Sequence, residues 1–179
     1  GQSGWRPAPD SSAIRWIRAH ATELGVDTRR LAAGGGSAGG HVALCTAMLD
    51  AGDDPADDLK VSCRPDLLVL FNPAPDATRV PKQFLEHGVD PLPLSPLAHI
   101  KSGLPPMLIM HGDADTTVPI GTIRDFAQRL REAGNACEVI EYPGKPHGFF
   151  NYGKDSNRNF EATTRAAIEF LGRHGYLKK

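Results

Sequence analysis

The chain has 179 residues, 40% hydrophobic and 23% charged, which is typical of a single globular domain with a sizeable core. Its formal net charge of −1 provides no basic surface for nucleic acid or an anionic membrane. No apolar run approaches the ~20 residues needed to span a bilayer. The first ten residues, GQSGWRPAPD, contain no initiator Met and no signal-peptide core, which indicates a cut end.

The three cysteines, Cys45, Cys63 and Cys137, lie at unrelated spacings. This pattern favours reduced core thiols over a disulfide framework or a metal site, and it fits a cytoplasmic origin.

The N-terminal third predicts a helix, a strand and a second helix. Residues 10–26 (DSSAIRWIRAHATELGV) have a capping residue, apolar positions at helical spacing and a closing glycine. Residues 30–35 (RLAAGG) are typical of a buried parallel strand, and helical periodicity returns from about 37 to 51. The acidic stretch 52–63 is interpreted as a solvated surface loop.

The remainder continues the alternation. Residues 74–105 are proline-rich and are expected to form a cap-like insertion, with a helix near 81–87 and a turn at 95–100. The other predicted elements are strands at 66–73, 105–112 and 137–143 and helices at 120–133 and 157–174. Alternating strands and helices predict an α/β fold, with a mostly parallel sheet of about four strands between two helical layers. In such folds a ligand binds beyond the carboxyl ends of the strands.

The stretch GGGSAGG (34–40), between the first strand and its helix, allows two interpretations. As Gly34-x-Gly36-x-x-Gly39 it matches a dinucleotide-binding turn, but no acidic residue closes the next strand to hold a ribose. As Gly35-x-Ser37-x-Gly39 it is a nucleophile elbow, in which the glycines remove Cβ atoms that would clash in the tight turn. An elbow becomes a specific signal only when an acid and a histidine follow later strands.

Both residues follow in that order. Asp115 lies in HGDADTTVP after the third strand, and His147 lies in YPGKPHGFF after the fourth. His147 would take the Ser37 proton, and Asp115 would hold the imidazole in the required tautomer. Alternatives are that Ser37 only caps its helix, or that Asp113 is the acid.

These motifs resemble the α/β-hydrolase fold. GGGSAGGH, HGDADTTVP and PHGFF are most similar to those of the acetyl-esterase and hormone-sensitive-lipase-like carboxylesterases, near the prolyl-oligopeptidase-type hydrolases. The resemblance starts near Asp10 and implies the C-terminal portion of that fold, a serine hydrolase of small carboxylic esters that needs no cofactor or metal. It also places the triad acid at Asp115 rather than Asp113.

Family members carry an earlier His-Gly-Gly-Gly-like loop that supplies oxyanion-hole N–H groups, and residues 1–33 contain no equivalent. The backbone N–H groups of Ala38 and Gly39 are therefore expected to bind the oxyanion. An inactive domain that serves as a binding or assembly module is the alternative function, and a peptidase is a third.

Four further side chains have open roles. His41 and His111 are interpreted as structural residues hydrogen-bonded near the site. Phe149 and Phe150 are candidates for the substrate pocket, with packing in the core as the alternative. A metal site formed by the histidines and aspartates of the two loops is conceivable, but no ligand spacing supports it.

The elbow strand, Leu31–Gly35, is expected to lie at the edge of the sheet, next to the strand at 66–72. Unpaired backbone groups at such an edge favour association. The chain is therefore expected to form a homo-oligomer through this edge.

Overall fold

The strands form a single parallel sheet. A computed structural model describes residues 8–49, 53–79 and 90–177. Its strands are β1 (Ala32–Gly36), β2 (Leu67–Phe71), β3 (Met107–Gly112) and β4 (Cys137–Tyr142), hydrogen-bonded in the order β1-β2-β3-β4. Every pairing is parallel. The predicted strands and their order are confirmed, with bounds that agree within two residues.

Helices precede β1 and follow β1, β3 and β4. They are α1 (Ala8–Ala19), α2 (Ala21–Leu24), α3 (Ala38–Met48), α4 (Ile120–Glu132) and α5 (Arg158–Arg173). Short 3₁₀ helices cover Ala77–Arg79, Leu92–Leu94, Pro96–His99 and Asp155–Asn157. The helix predicted near 81–87 lies outside the described residues, and the turn predicted at 95–100 is largely the third of these 3₁₀ helices.

Two helix predictions were wrong in their bounds. The single helix predicted over 10–26 is broken at His20, whose Nδ1 lies 2.8 Å from the carbonyl oxygen of Trp16 and whose backbone leaves helical geometry. Its predicted end is confirmed, because Gly25 adopts a left-handed φ of 66°. The helix predicted to reach residue 51 ends at Met48, where the next residue, Leu49, is extended.

The sheet separates two apolar layers, since successive residues of a strand point to opposite faces. On one face, α3 and α4 pack on Leu68, Leu70 and Ile109. On the other face, α5 packs through Phe170 on a second set that includes Met110. This three-layer arrangement confirms the predicted α/β class and directs the carboxyl ends of all four strands to one edge.

The acidic loop has a structural role that its sequence did not indicate. Arg15 of α1 is buried, and its guanidinium lies 2.7 Å from an Asp53 oxygen and 2.9 Å from an Asp57 oxygen. Most of this loop is exposed, as its interpretation as solvated surface expects, but Asp53 and Asp57 also serve as the carboxylate partners that a buried guanidinium needs. These ion pairs hold α1 against the segment that leads into β2.

No disulfide joins Cys45, Cys63 and Cys137. Cys45 and Cys137 are buried as predicted, whereas Cys63 is only half-buried. Burial raises the pKa of Cys137 to about 11. No helix of the described residues is long and apolar enough to cross a membrane.

The elbow strand lies at the sheet edge, as predicted. β1 pairs with β2 on one side, and within the described ranges no strand pairs with its other side. Ala32 and Gly34 of this strand are exposed. The predicted association through this edge stays a prediction.

Candidate active site

Ser37 lies at the sharp turn between β1 and α3. Its backbone adopts φ 53° and ψ −116°, a conformation that side-chain-bearing residues rarely occupy. Its N–H donates to the carbonyl of Phe71 at 2.9 Å, which fixes the turn against the end of β2. The Ser37 hydroxyl makes no capping bond to α3. Helix capping, the alternative role for this serine, is therefore wrong.

The glycines of the turn differ in what they allow. A Cβ on Gly35 would lie 2.6 Å from the carbonyl carbon of Gly39, so Gly35 is needed for the close approach of strand and helix. A Cβ on Gly39 would meet no atom within 4 Å. The expected steric need for glycine is confirmed at Gly35 and wrong at Gly39.

The three residues predicted at the ends of different strands meet in one hydrogen-bonded row. His147 Nε2 lies 2.8 Å from Ser37 Oγ, and His147 Nδ1 lies 2.7 Å from Asp115 Oδ2. Since an ionised carboxylate only accepts, Nδ1 carries the proton and Nε2 offers its lone pair to the serine hydroxyl. Such an arrangement can remove the proton from Ser37 as the oxygen attacks an electrophile.

Asp115 is held in place by backbone hydrogen bonds within its own loop. Its side chain is fully buried, and Oδ1 accepts the N–H groups of Thr117 at 2.8 Å and Val118 at 2.9 Å. These bonds leave Oδ2 directed at His147. Asp113, the alternative acid, is exposed and accepts the N–H of Gly144 at 2.6 Å. It therefore ties the acid loop to the loop after β4, as expected of a residue that fixes the turn.

His111 supports the same loop from the end of β3. Its Nε2 donates to the Val118 carbonyl at 2.8 Å and lies 3.4 Å from Asp115 Oδ2. Nδ1 is buried and has no hydrogen-bond partner among the described residues. Burial lowers the pKa of His111, which favours the neutral ring.

His41 lies one turn into α3. Its Nδ1 is 2.8 Å from the carbonyl of Ala74, and its Nε2 is 3.4 Å from Cys45 Sγ. These contacts connect α3 to the segment after β2. They agree with the structural interpretation of His41.

Phe149 and Phe150 follow His147 directly. Phe149 is buried with its ring 4.8 Å from that of Tyr142, and Phe150 lies 5.0 Å from the ring of Phe71. Both have the aromatic neighbours of core residues, and their part in a substrate pocket stays a prediction. Burial also raises the pKa of Tyr142.

Sequence reasoning missed Asn72, which directly follows β2. Its side chain is fully buried, with Nδ2 3.4 Å from His147 Nε2 and Oδ1 accepting the N–H of Gly148 at 3.0 Å. The one available signal was its position at the carboxyl end of a buried strand, where ligand sites form.

Ala38 and Gly39, the predicted oxyanion donors, are exposed at the first turn of α3. The first N–H groups of a helix have no partner within it, and the helix dipole favours an anion there. Among the residues that the structure describes, no three His, Cys, Asp or Glu side chains cluster where they could hold a metal ion.

Two families match parts of the chain. Residues 79–174, more than half of its length, match the dienelactone hydrolase family, and residues 10–64 match the BD-FAE family. Among curated proteins, esterase LipQ of Mycobacterium tuberculosis is 28% identical over 89% of this chain, which spans only 42% of LipQ.

Solved structures of Thermogutta terrifontis esterase 2 are more similar in sequence to this chain than LipQ is. The form phosphorylated by paraoxon is 44% identical with a TM-score of 0.90, covering 97% of this chain and 65% of its own. The butyrate-bound form is 42% identical with a TM-score of 0.85, covering 96% of this chain and 66% of its own. The fold, the parallel sheet order and the long family match lead to one conclusion: the protein belongs to the dienelactone hydrolase family of the α/β hydrolases.

Proposed function

We propose that this chain hydrolyses carboxylic esters, with Ser37 as the nucleophile, His147 as general base and acid, and Asp115 as the residue that orients His147. The observation that carries the proposal is the row of two short hydrogen bonds, 2.8 Å from Ser37 to His147 and 2.7 Å from His147 to Asp115. The names of LipQ and esterase 2 support an esterase activity. The chain spans less than half of LipQ. We therefore propose, rather than transfer from LipQ, that this chain has an esterase activity.

The reaction has two stages. Ser37 Oγ bonds to the ester carbonyl carbon while its proton passes to His147 Nε2, and the imidazolium then gives that proton to the departing alcohol. This leaves an acyl group on Ser37. Water attacks the acyl carbon as His147 takes one water proton, and the returned proton restores the Ser37 hydroxyl when the acid leaves.

Stabilisation of the negative oxygen falls to the start of α3. The Ala38 N–H, followed by that of Gly39, is the donor closest in sequence to the nucleophile. A donor aimed at the developing oxyanion is worth on the order of 10²–10³ in rate. The positive end of the α3 dipole adds to this effect.

We propose short acyl groups as the substrate class. The described parts of 74–105 contribute Ala74, Leu97 and Ile100 to the core beside α3 and α4. We interpret this segment as a shallow cap rather than a large lid, which suits small acyl chains. The butyrate-bound form of esterase 2 supports the same size range.

Hydrolysis of p-nitrophenyl acetate tests the proposal. Ser37→Ala and His147→Gln should each lower kcat by at least about 10³-fold, because the nucleophile and its base act as a unit. The matched controls are Ser62→Ala and His174→Gln, whose side chains are exposed outside the site. Equal activity in Ser37→Ala and wild type would refute the assignment of Ser37 as the nucleophile. A folded wild-type chain that does not hydrolyse p-nitrophenyl acetate would favour the alternative, a binding or assembly module.

A further inference from the structure

The end of β2 connects the serine turn to the histidine loop. The carbonyl of Phe71 accepts the Ser37 N–H at 2.9 Å. The next residue, Asn72, accepts the Gly148 N–H at 3.0 Å with its side-chain oxygen. Two successive residues therefore fix the backbone beside the nucleophile and the backbone beside its base.

The two contacts of Asn72 determine which way its amide faces. The Gly148 N–H is a donor, so the atom that meets it must be the Asn72 oxygen. The Asn72 NH₂ group then faces the His147 ring, with Nδ2 3.4 Å from Nε2. Because the Nδ1 of that ring is protonated toward Asp115, Nε2 is an acceptor, and a donor meets an acceptor at this contact.

The backbone of Asn72 adopts an unfavourable conformation. Its φ is 34°, in a region that asparagine tolerates better than most residues but that glycine adopts more readily, and Pro73 follows it. Its N–H donates to the Met110 carbonyl at 2.8 Å. The backbone alone would favour glycine at this position, whereas the side chain makes both contacts with the histidine loop.

We propose that Asn72 is a positioning residue for His147, a role that rests on the proposed function. Its oxygen anchors the loop at Gly148, and its NH₂ group keeps the imidazole ring in the plane shared by Ser37 and Asp115. While Ser37 carries an acyl group its oxygen has no proton to donate to Nε2. The Asn72 side chain still anchors Gly148 and faces the ring at that stage, which holds the imidazole in place while its Nε2 lone pair accepts a proton from the attacking water.

Two substitutions separate the two contacts. Asn72→Gly suits the positive φ and removes both. Asn72→Asp is nearly isosteric and keeps an acceptor for Gly148, but it turns a carboxylate toward Nε2. That carboxylate favours a proton on Nε2 while Asp115 still accepts from Nδ1, so the ring is held as an imidazolium, which cannot accept the Ser37 proton.

Kinetics with p-nitrophenyl acetate give the first test. In Asn72→Gly, kcat should fall about 10²-fold with little change in KM, the size expected when a catalytic group loses its alignment. Asn72→Asp should lose at least as much. The matched control is Asn135→Ala, a buried asparagine that bonds the backbone of Leu104 and Lys101 away from the site. It should lose stability but keep kcat per folded molecule.

A second readout does not need activity. The Nδ1 proton of His147 should give a low-field NMR resonance, assigned by its absence in His147→Gln. That resonance should shift or broaden in both Asn72 variants and stay unchanged in Asn135→Ala. Esterase activity regained in Asn72→Asp, or a His147 resonance unchanged in both Asn72 variants, would overturn the inference. An inactive wild type in which the resonance still responds to Asn72 would refute only the proposed function.

Discussion

Replacing Asp115 by asparagine should abolish most of the proposed esterase activity, for a reason that the hydrogen bonds around Asp115 define. The N–H groups of Thr117 and Val118 lie 2.8 and 2.9 Å from Oδ1, so the oxygen of the new amide must stay there. Its NH₂ group then takes the place of Oδ2 and faces His147 Nδ1. Nδ1 must then accept from this donor, so the His147 ring adopts the tautomer with its proton on Nε2. In that tautomer Nε2 can no longer accept the Ser37 proton.

The expected loss in kcat is ~10⁴-fold, the size seen when the same substitution enforces the wrong tautomer in serine proteases. KM should change little, because the buried Asp115 side chain would make no contact with a bound ester. Steady-state hydrolysis of p-nitrophenyl acetate measures both constants. The control is Asp113→Asn, whose amide oxygen can still accept the Gly144 N–H. A large loss in Asp113→Asn together with near-normal kcat in Asp115→Asn would refute the assignment of the acid.

Three other outcomes are expected. Acetyl to butyryl esters should be hydrolysed faster than palmitoyl esters in a p-nitrophenyl series; faster turnover of palmitoyl esters would contradict a shallow cap. Light scattering should give a mass above 19.2 kDa at micromolar concentration, because β1 exposes an edge; a clean monomer would disprove association. Since burial lowers the pKa of His111 below 6.5, the unfolded chain binds a proton that the folded chain does not. The free energy of unfolding should therefore decrease as pH falls below about 6.5, with a smaller slope in His111→Asn, and an identical slope would count against this cause.

The sheet could be predicted because each strand is a short apolar run bounded by turn residues. The six residues of β3 are all buried, and the first four, Met107–Met110, form a continuous apolar run with no polar alternation. The approximate place of the candidate site could also be predicted, since the carboxyl ends of parallel strands meet at one edge. Ser37, Asp115 and His147 each follow a different strand, so their convergence needed only the strand order.

The rest depends on contacts between side chains that are far apart in sequence. Asn72 and His147 are separated by 75 residues, and no sequence motif around either residue predicts contact with the other. The pairing of Arg15 with the acidic loop was hidden for the same reason, because a carboxylate that pairs with a buried arginine looks the same in sequence as one that faces only solvent. Gly39 shows a third limit: the elbow pattern marks both Gly35 and Gly39, whereas only at Gly35 would an added Cβ clash with neighbouring atoms.

The central claim is that Ser37 becomes a nucleophile through His147. The most direct measurement is mass spectrometry of the intact and digested chain after reaction with paraoxon, the compound that phosphorylates esterase 2. The expected result is one diethylphosphoryl group, located on the peptide that contains Ser37, absent in Ser37→Ala and slow to form in His147→Gln. An adduct on another residue, or equal labelling of wild type and Ser37→Ala, would contradict the account.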